Sequence, residues 1–121
     1  MTYLLDVSAV LALLLRKHQN HARMREWQAG KELAICPIVE LGFLRVSARI
    51  YNCELEDSRR ILAEFKKRAI FLPDSLSALD GQSAPVANKT TDWYLANLAE
   101  AHGMKWVTLD TRAEHPAAVV I

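Results

Sequence analysis

No stretch of this chain is both long and apolar enough to cross a bilayer. The main apolar run, Ala9 to Leu15, falls well short of the roughly 20 residues that a spanning helix needs. It also makes a poor signal peptide, because no basic residue precedes it and Asp6 interrupts the apolar stretch. A cytoplasmic protein with no membrane partner is expected. Cysteine is scarce: Cys36 and Cys53 are the only two, and neither belongs to a C-x-x-C pair. That argues against a zinc or thioredoxin-like site and for reduced, packed thiols. The four histidines include no H-E-x-x-H, so the His18/His21 pair is read as part of a solvated loop rather than a metal site. An excess of either charge is also missing. A formal net charge of +1 excludes a blanket electrostatic attraction, so any nucleic-acid surface must be local. Internal repeats and low-complexity tracts are absent.

What remains is an ordinary globular composition, 51% hydrophobic and 24% charged over 121 residues. One domain spanning residues 1–121 accounts for it, with enough chain for a real core. The chain is organised around its opening. Tyr3, Leu4 and Leu5 read as a short buried strand, and Ala9 to Leu15 as a buried helix. Asp6 and Ser8 stand at the corner between them. In an open α/β sheet such a corner lies at the carboxyl edge of the strand, where sites are built. Taken alone, either residue could simply cap the helix by accepting an orphan N–H.

The chain then alternates. Arg16 to His21 is a polar turn into a second helix, which runs to about Ala29 and is stopped by Gly30. Leu33 to Cys36 is a second buried strand. Pro37 opens a helix from Ile38 to about Tyr51, apolar almost all round and therefore expected to be deeply packed. Glu40 sits in its first turn. Glu54 to Ala69 is amphipathic, with Leu55, Ile61, Leu62 and Phe65 at helical spacing. Ile70 to Leu72 is a third strand. Ser75 to Thr90 is loop-like, with a short helix expected near Leu76–Leu79. A helix follows from Thr91 to Ala101, capped by Thr90 or Thr91, ended by Gly103, and carrying Asp92 in its first turn. Lys105 to Leu109 is a strand with Asp110 at its carboxyl end, and Ala117 to Ile121 is a last, edge strand.

This order predicts a three-layer α/β/α sandwich with a mainly parallel sheet of four to five strands. Right-handed crossovers place every strand's carboxyl end on one rim. Asp6 and Asp110 end strands there, and Glu40 and Asp92 begin helices there. No fixed basic partner is evident at any of the four. Carboxylates crowded in this way raise one another's pKa unless a cation neutralises them. Mg²⁺ is the natural choice, since it takes one or two direct carboxylates and leaves others to hold its waters. Such a site suits phosphodiester hydrolysis. Ser8 adds a hydroxyl to hold a carboxylate or a water. Arg16, Lys17, Arg45, Arg49 and Arg112 are the candidate positive shoulders for an approaching nucleic acid strand.

The motifs that carry these acids resemble those of PIN-domain proteins. Leu4-Leu5-Asp6-Val7-Ser8-Ala9-Val10-Leu11-Ala12-Leu13-Leu14 is similar to the family's opening. Pro37-Ile38-Val39-Glu40-Leu41-Gly42-Phe43-Leu44-Arg45-Val46 is similar to its second acidic motif. Thr91-Asp92-Trp93-Tyr94-Leu95-Ala96-Asn97-Leu98-Ala99 with His102-Gly103 resembles the third, and Val107-Thr108-Leu109-Asp110 the fourth. They come in the family's order and span the chain. Two departures stand out. Ser8 replaces an asparagine common among relatives, and Thr111-Arg112-Ala113 replaces the frequent Arg-Gly-Phe.

The nearest resemblance is to VapC-type toxins of bacterial toxin–antitoxin pairs. It implies a magnesium-dependent endoribonuclease, with Mn²⁺ as the alternative ion. Asp6 and Asp92 would be metal ligands, Asp110 would bind or orient metal waters, and Glu40 would help position the attacking water. It further implies a homodimer, an RNA substrate, and a small antitoxin that blocks the site and supplies DNA binding. Two rivals are an inactive PIN-like binding module and a phosphorylatable receiver domain. A receiver would want paired acids after strand one and a lysine after a late strand, and this chain has neither.

Overall fold

A computed structural model describes residues 1–121. Its core is a five-stranded sheet in the order β3-β2-β1-β4-β5, parallel throughout. The strands are β1 (Thr2–Leu5), β2 (Glu32–Ile35), β3 (Ile70–Phe71), β4 (Lys105–Thr108) and β5 (Ala118–Val120). Leu4 pairs with Ala34 on one side and with Trp106 on the other, which puts β1 at the centre of the sheet. Strands buried on both faces need continuous apolar runs, and Leu4, Leu5, Ala34, Ile35, Trp106 and Val107 supply them.

Five α-helices cover this sheet: α1 (Val7–Leu14), α2 (His21–Gln28), α3 (Pro37–Arg49), α4 (Leu55–Lys66) and α5 (Thr90–Ala101). Helices α1 to α4 pack on one another, while α5 packs on β1 and β4. The result is the expected α/β/α sandwich. Close packing between α1 and α3 depends on Gly42, where a Cβ would run into the Val7 side chain. Cys36 is buried and Cys53 partly so, and both are free thiols.

Three expectations are corrected. The loop near Leu76–Leu79 forms turns rather than a helix, and the short 3₁₀ turn lies later, at Ala87–Lys89. Neither threonine caps α5. Lys89 occupies the cap position, and the Thr90 hydroxyl donates to the Ala87 carbonyl instead. Helix α3 is not deeply packed. Only Val39, Gly42, Phe43 and Ser47 are buried in it, while Leu41 and, just beyond its end, Ile50 are each more than half exposed. Its apolar residues extend past the stripe that faces the sheet, which leaves an apolar face on the surface.

The β4–β5 connection runs through residues 109–117 without a helix. Parallel neighbours usually need a crossover of about a dozen residues or more. The short link is held by its own polar side chains, which bear directly on the site.

Candidate active site

The chain leaves β1 at Asp6, whose N–H still bonds to the Val107 carbonyl at 2.9 Å and so continues the β1–β4 ladder. Its backbone then turns into α1 from an extended conformation. The carboxylate caps the helix through Oδ1, which accepts the Ala9 N–H at 2.8 Å and the Ser8 hydroxyl at 2.7 Å. Ser8 Oγ in turn accepts the Leu109 N–H at 3.2 Å, tying the start of α1 to the exit of β4. The capping interpretation of Asp6 therefore describes a real interaction, and Ser8 holds a carboxylate. Capping alone does not explain the electrostatics. Asp6 is 6% exposed, and burial pushes its carboxyl from an ordinary 3.8 up to about 6, with the neighbouring Asp92 charge adding to the rise. The Thr108 and Ser8 hydroxyls and the Ala9 N–H only partly offset that.

Asp92, the third residue of α5, is half-buried. Burial raises its carboxyl, the Lys89 charge lowers it, and Asp110 raises it again. Asp110 is held differently. Its Oδ1 accepts the Arg112 N–H at 2.9 Å and the Arg112 Nε–H at 3.3 Å, and Oδ2 accepts from Lys89 Nζ at 3.2 Å. With the Arg112 backbone N–H contributing most, its carboxyl falls to about 2. The three aspartates and Ser8 line one open cleft at the carboxyl edge of β1 and β4. They lie side by side as a chain of coupled charges, Asp6 to Asp92 to Asp110.

Glu40 does not line that cleft. It is paired with Lys66 of α4 at 2.9 Å and faces a groove between α3 and α4 with Leu41, Leu44 and Leu62. The expectation that none of the four acids has a fixed basic partner is thus corrected at two of them. Lys66 and Lys89 come from segments remote in sequence from the acids they pair with, so no local pattern announces either contact. Of the expected positive shoulders, Arg112 borders the cleft, while Arg16 lines a separate basic hollow with Arg25 and Arg60. Lys17, Arg45 and Arg49 border neither. His18 and His21 are tied to backbone groups, His18 Nδ1 to the Asn20 N–H and His21 Nδ1 to the Ala12 carbonyl, and no metal pair forms.

Sequence reasoning also missed Asn97 and His115. Buried Asn97 bonds both backbone groups of Gln82 and, through Oδ1, the His115 Nε2 at 2.8 Å. It thereby joins the long loop before α5 to the loop that carries Asp110. A buried amide in the middle of an apolar helix face is the signal that points to it.

No three His, Cys, Asp or Glu side chains converge as a ready cage for a metal. The donor set still fits Mg²⁺, which needs only one or two direct carboxylates. Asp6 and Asp92 are hard oxygen donors, mutually repelling and short of compensating charge. Asp110 is already neutralised by Lys89 and Arg112.

The comparisons with known proteins agree with this arrangement. The PIN domain family matches residues 3–119. The chain is 37% identical to Ribonuclease VapC38 of Mycobacterium tuberculosis, over 88% of this chain and 84% of that protein. It is 36% identical to Ribonuclease VapC44 of the same organism, over 91% and 87%. Among solved structures it is similar to VapBC2 from Rickettsia felis bound to a promoter DNA fragment. The TM-score there is 0.69 at 17% identity, covering 100% of this chain and 98% of that one. It is also similar to FitAB bound to the IR36 DNA fragment, with a TM-score of 0.67 at 20% identity, covering 98% and 93%. The structural likeness speaks for the fold; the family match and the close relatives, spanning nearly the whole chain, show that it belongs to the PIN domain family.

Proposed function

We propose that this chain is a magnesium-dependent endoribonuclease and the toxin of a type II toxin–antitoxin pair. The observation that carries the proposal is the coupled row of Asp6, Asp92 and Asp110, with Asp6 buried and pushed up to about 6. Helix capping does not require such a carboxylate, since asparagine caps about as well as aspartate. The ribonuclease reading is supported by the relatives named as VapC ribonucleases.

In this reading Asp6 and Asp92 hold the ion, and Asp110 orients its waters from a fixed position between Lys89 and Arg112. When bound, Mg²⁺ supplies charge neutralisation and a more acidic water at the scissile phosphodiester. Ser8 keeps the Asp6 carboxylate aligned. Arg112 and Lys89, beside the acids, receive the phosphates of the substrate strand. Glu40 stands in the proposal as an outlying fourth acid, acting from α3 through its pair with Lys66.

The same reading includes a homodimer and a small antitoxin that brings DNA binding. It draws support from the exposed apolar residues Leu41, Ile50, Tyr51 and Leu55, more apolar surface than a solitary domain has use for. One observation favours a second reading, a binding module without catalysis: no three acids converge.

Cleavage of an RNA pool, with Mg²⁺ and with chelator, separates the two. Asp6→Asn and Asp92→Asn should fold and yet lose divalent-dependent cleavage by a hundredfold or more. Their combination should be little worse than either alone, because one site is lost once. Glu40→Gln should cost less than any of the three aspartate changes. Near-normal cleavage by Asp6→Asn would leave that residue a helix cap and end the proposal.

A further inference from the structure

Beside the acid cleft, and sharing Asp92, Asp110 and Arg112 with it, lies a second cavity of about 270 Å³. That is just below the roughly 300–1,000 Å³ of pockets for drug-sized ligands, which suits one planar ring system. Its walls include Trp93 and Trp106, with Pro85 and Val86 on the other side. Trp93 is set edge-on against the His115 ring, with centroids 4.8 Å apart and planes at 69°. His115 is itself fixed. Its Nδ1 accepts the Ala117 N–H at 3.0 Å, so Nε2 carries the proton and donates it to Asn97 Oδ1. The aromatic wall is therefore rigid and uncharged.

Trp106 contributes something else. Its indole Nε1–H is the one buried side-chain polar atom with no hydrogen-bond partner in the chain. Such a group costs stability unless something accepts from it. At the mouth stand Lys89 and Arg112, whose shared carboxylate partner is Asp110.

We propose that this cavity is a nucleobase subsite. The base next to the scissile phosphodiester stacks on Trp93 and offers an acceptor to the Trp106 N–H, while Lys89 and Arg112 hold its phosphate. The proposal rests on the ribonuclease reading and gives that site a sequence preference. Aromatic stacking accepts any base, so the choice falls to hydrogen bonding. Trp106, Lys89 and Arg112 are all donors, which favours the acceptor edges of guanine (O6, N7) and uracil (O4) over bases that present an exocyclic amine. An apolar peptide side chain would fill the space but leave both the indole N–H and the two cations unanswered.

The test uses GMP, UMP, AMP and CMP as probes, added in chelator to the full chain carrying Trp27→Phe. Tryptophan fluorescence then reports Trp93 and Trp106. GMP or UMP should quench saturably, and about tenfold more tightly than AMP or CMP. Trp93→Leu should weaken binding about tenfold or more, and Trp106→Phe should abolish the preference between bases while keeping binding. Trp93→Leu carries the test alone if the buried Trp106 change impairs folding. Cut sites in an RNA pool should show the same preference. Absence of saturable quenching, or wild-type binding by Trp93→Leu, overturns the subsite. So does a Trp93→Leu effect confined to binding of an antitoxin peptide. Cleavage without base preference or nucleotide binding would sink the subsite and leave the ribonuclease reading intact. Nucleotide binding without any cleavage would do the reverse.

Discussion

Asp6 and Asp110 are both aspartates at the end of neighbouring strands, yet their surroundings push them in opposite directions. Asp6 has its carboxyl raised to about 6, chiefly by burial. Below pH 3.8 it is protonated in the folded and unfolded chain alike and contributes nothing. As pH rises from there to about 6 the unfolded chain loses this proton first, so stability falls, and it levels off above 6. At 1.36 kcal/mol per unit, a shift of two units costs about 3 kcal/mol. Asp6→Asn, which keeps an oxygen for the Ala9 N–H, should therefore raise metal-free stability at pH 7 by up to about 3 kcal/mol and leave it unchanged near pH 3.5. Asp110 has the opposite sign. Its carboxyl is lowered to about 2, so its contribution is present above the ordinary carboxylate value and fades as pH falls toward 2. Asp110→Asn should lower stability at pH 7. Denaturant melts of the two variants across pH 3 to 8 in chelator measure both. A destabilised Asp6→Asn at pH 7 would show that its bonds to Ser8 and Ala9 outweigh the burial of its charge.

At the scale of elements, the position of Asp6 depends on how α3 presses on the first turn of α1. Gly42 allows that contact, because a methyl group there would meet the Val7 side chain, one residue from Asp6. Valine is stiff at χ1 and has little room to yield. Gly42→Ala should therefore cost about 1–3 kcal/mol despite alanine's better helix propensity, and it should also reduce cleavage by displacing the start of α1. Thermal melts and initial rates at matched folded protein read the two effects; a stabilised variant with full activity would refute the close-packing argument. The elements themselves are legible in the sequence because their signals are local. Leu4-Leu5 and Val107 are apolar runs of strand length, Pro37 marks the start of α3, and Gly30 and Gly103 fall where their positive φ is needed. Less legible is whatever depends on tertiary neighbours. The apolar composition of α3 does not reveal that one flank faces outward. Nothing near Glu40 points to Lys66, twenty-six residues on, as its partner. Asp6, Ser8, Asp92 and Asp110 can be read as a group because parallel topology sends strand ends and helix starts to one rim. Topology specifies the rim but not the position along it, and Glu40 lies away from the cleft along that rim.

At the scale of the whole molecule, the three aspartates sit at the ends of β1 and β4 and the start of α5, segments that the chain brings together only on folding. An ion shared by Asp6 and Asp92 would thus bind the folded chain and ignore the unfolded one. Linkage then stabilises the fold by about 2.7 kcal/mol when free Mg²⁺ is a hundred times its dissociation constant. The gain should exceed what capping or surface screening can give, because the ion also relieves the repulsion that raises both acids. Three variants localise it. Asp92→Asn should abolish the Mg²⁺-dependent rise in melting temperature, and Asp6→Asn should do the same from a higher metal-free baseline. Glu40→Gln should keep the rise intact, since Glu40 answers to Lys66 and not to the cleft. Calorimetric melts from chelator to 10 mM Mg²⁺ make the comparison. A rise that survives Asp92→Asn but disappears in Glu40→Gln would move the ion to the α3–α4 groove and overturn the assignment of Asp6 and Asp92.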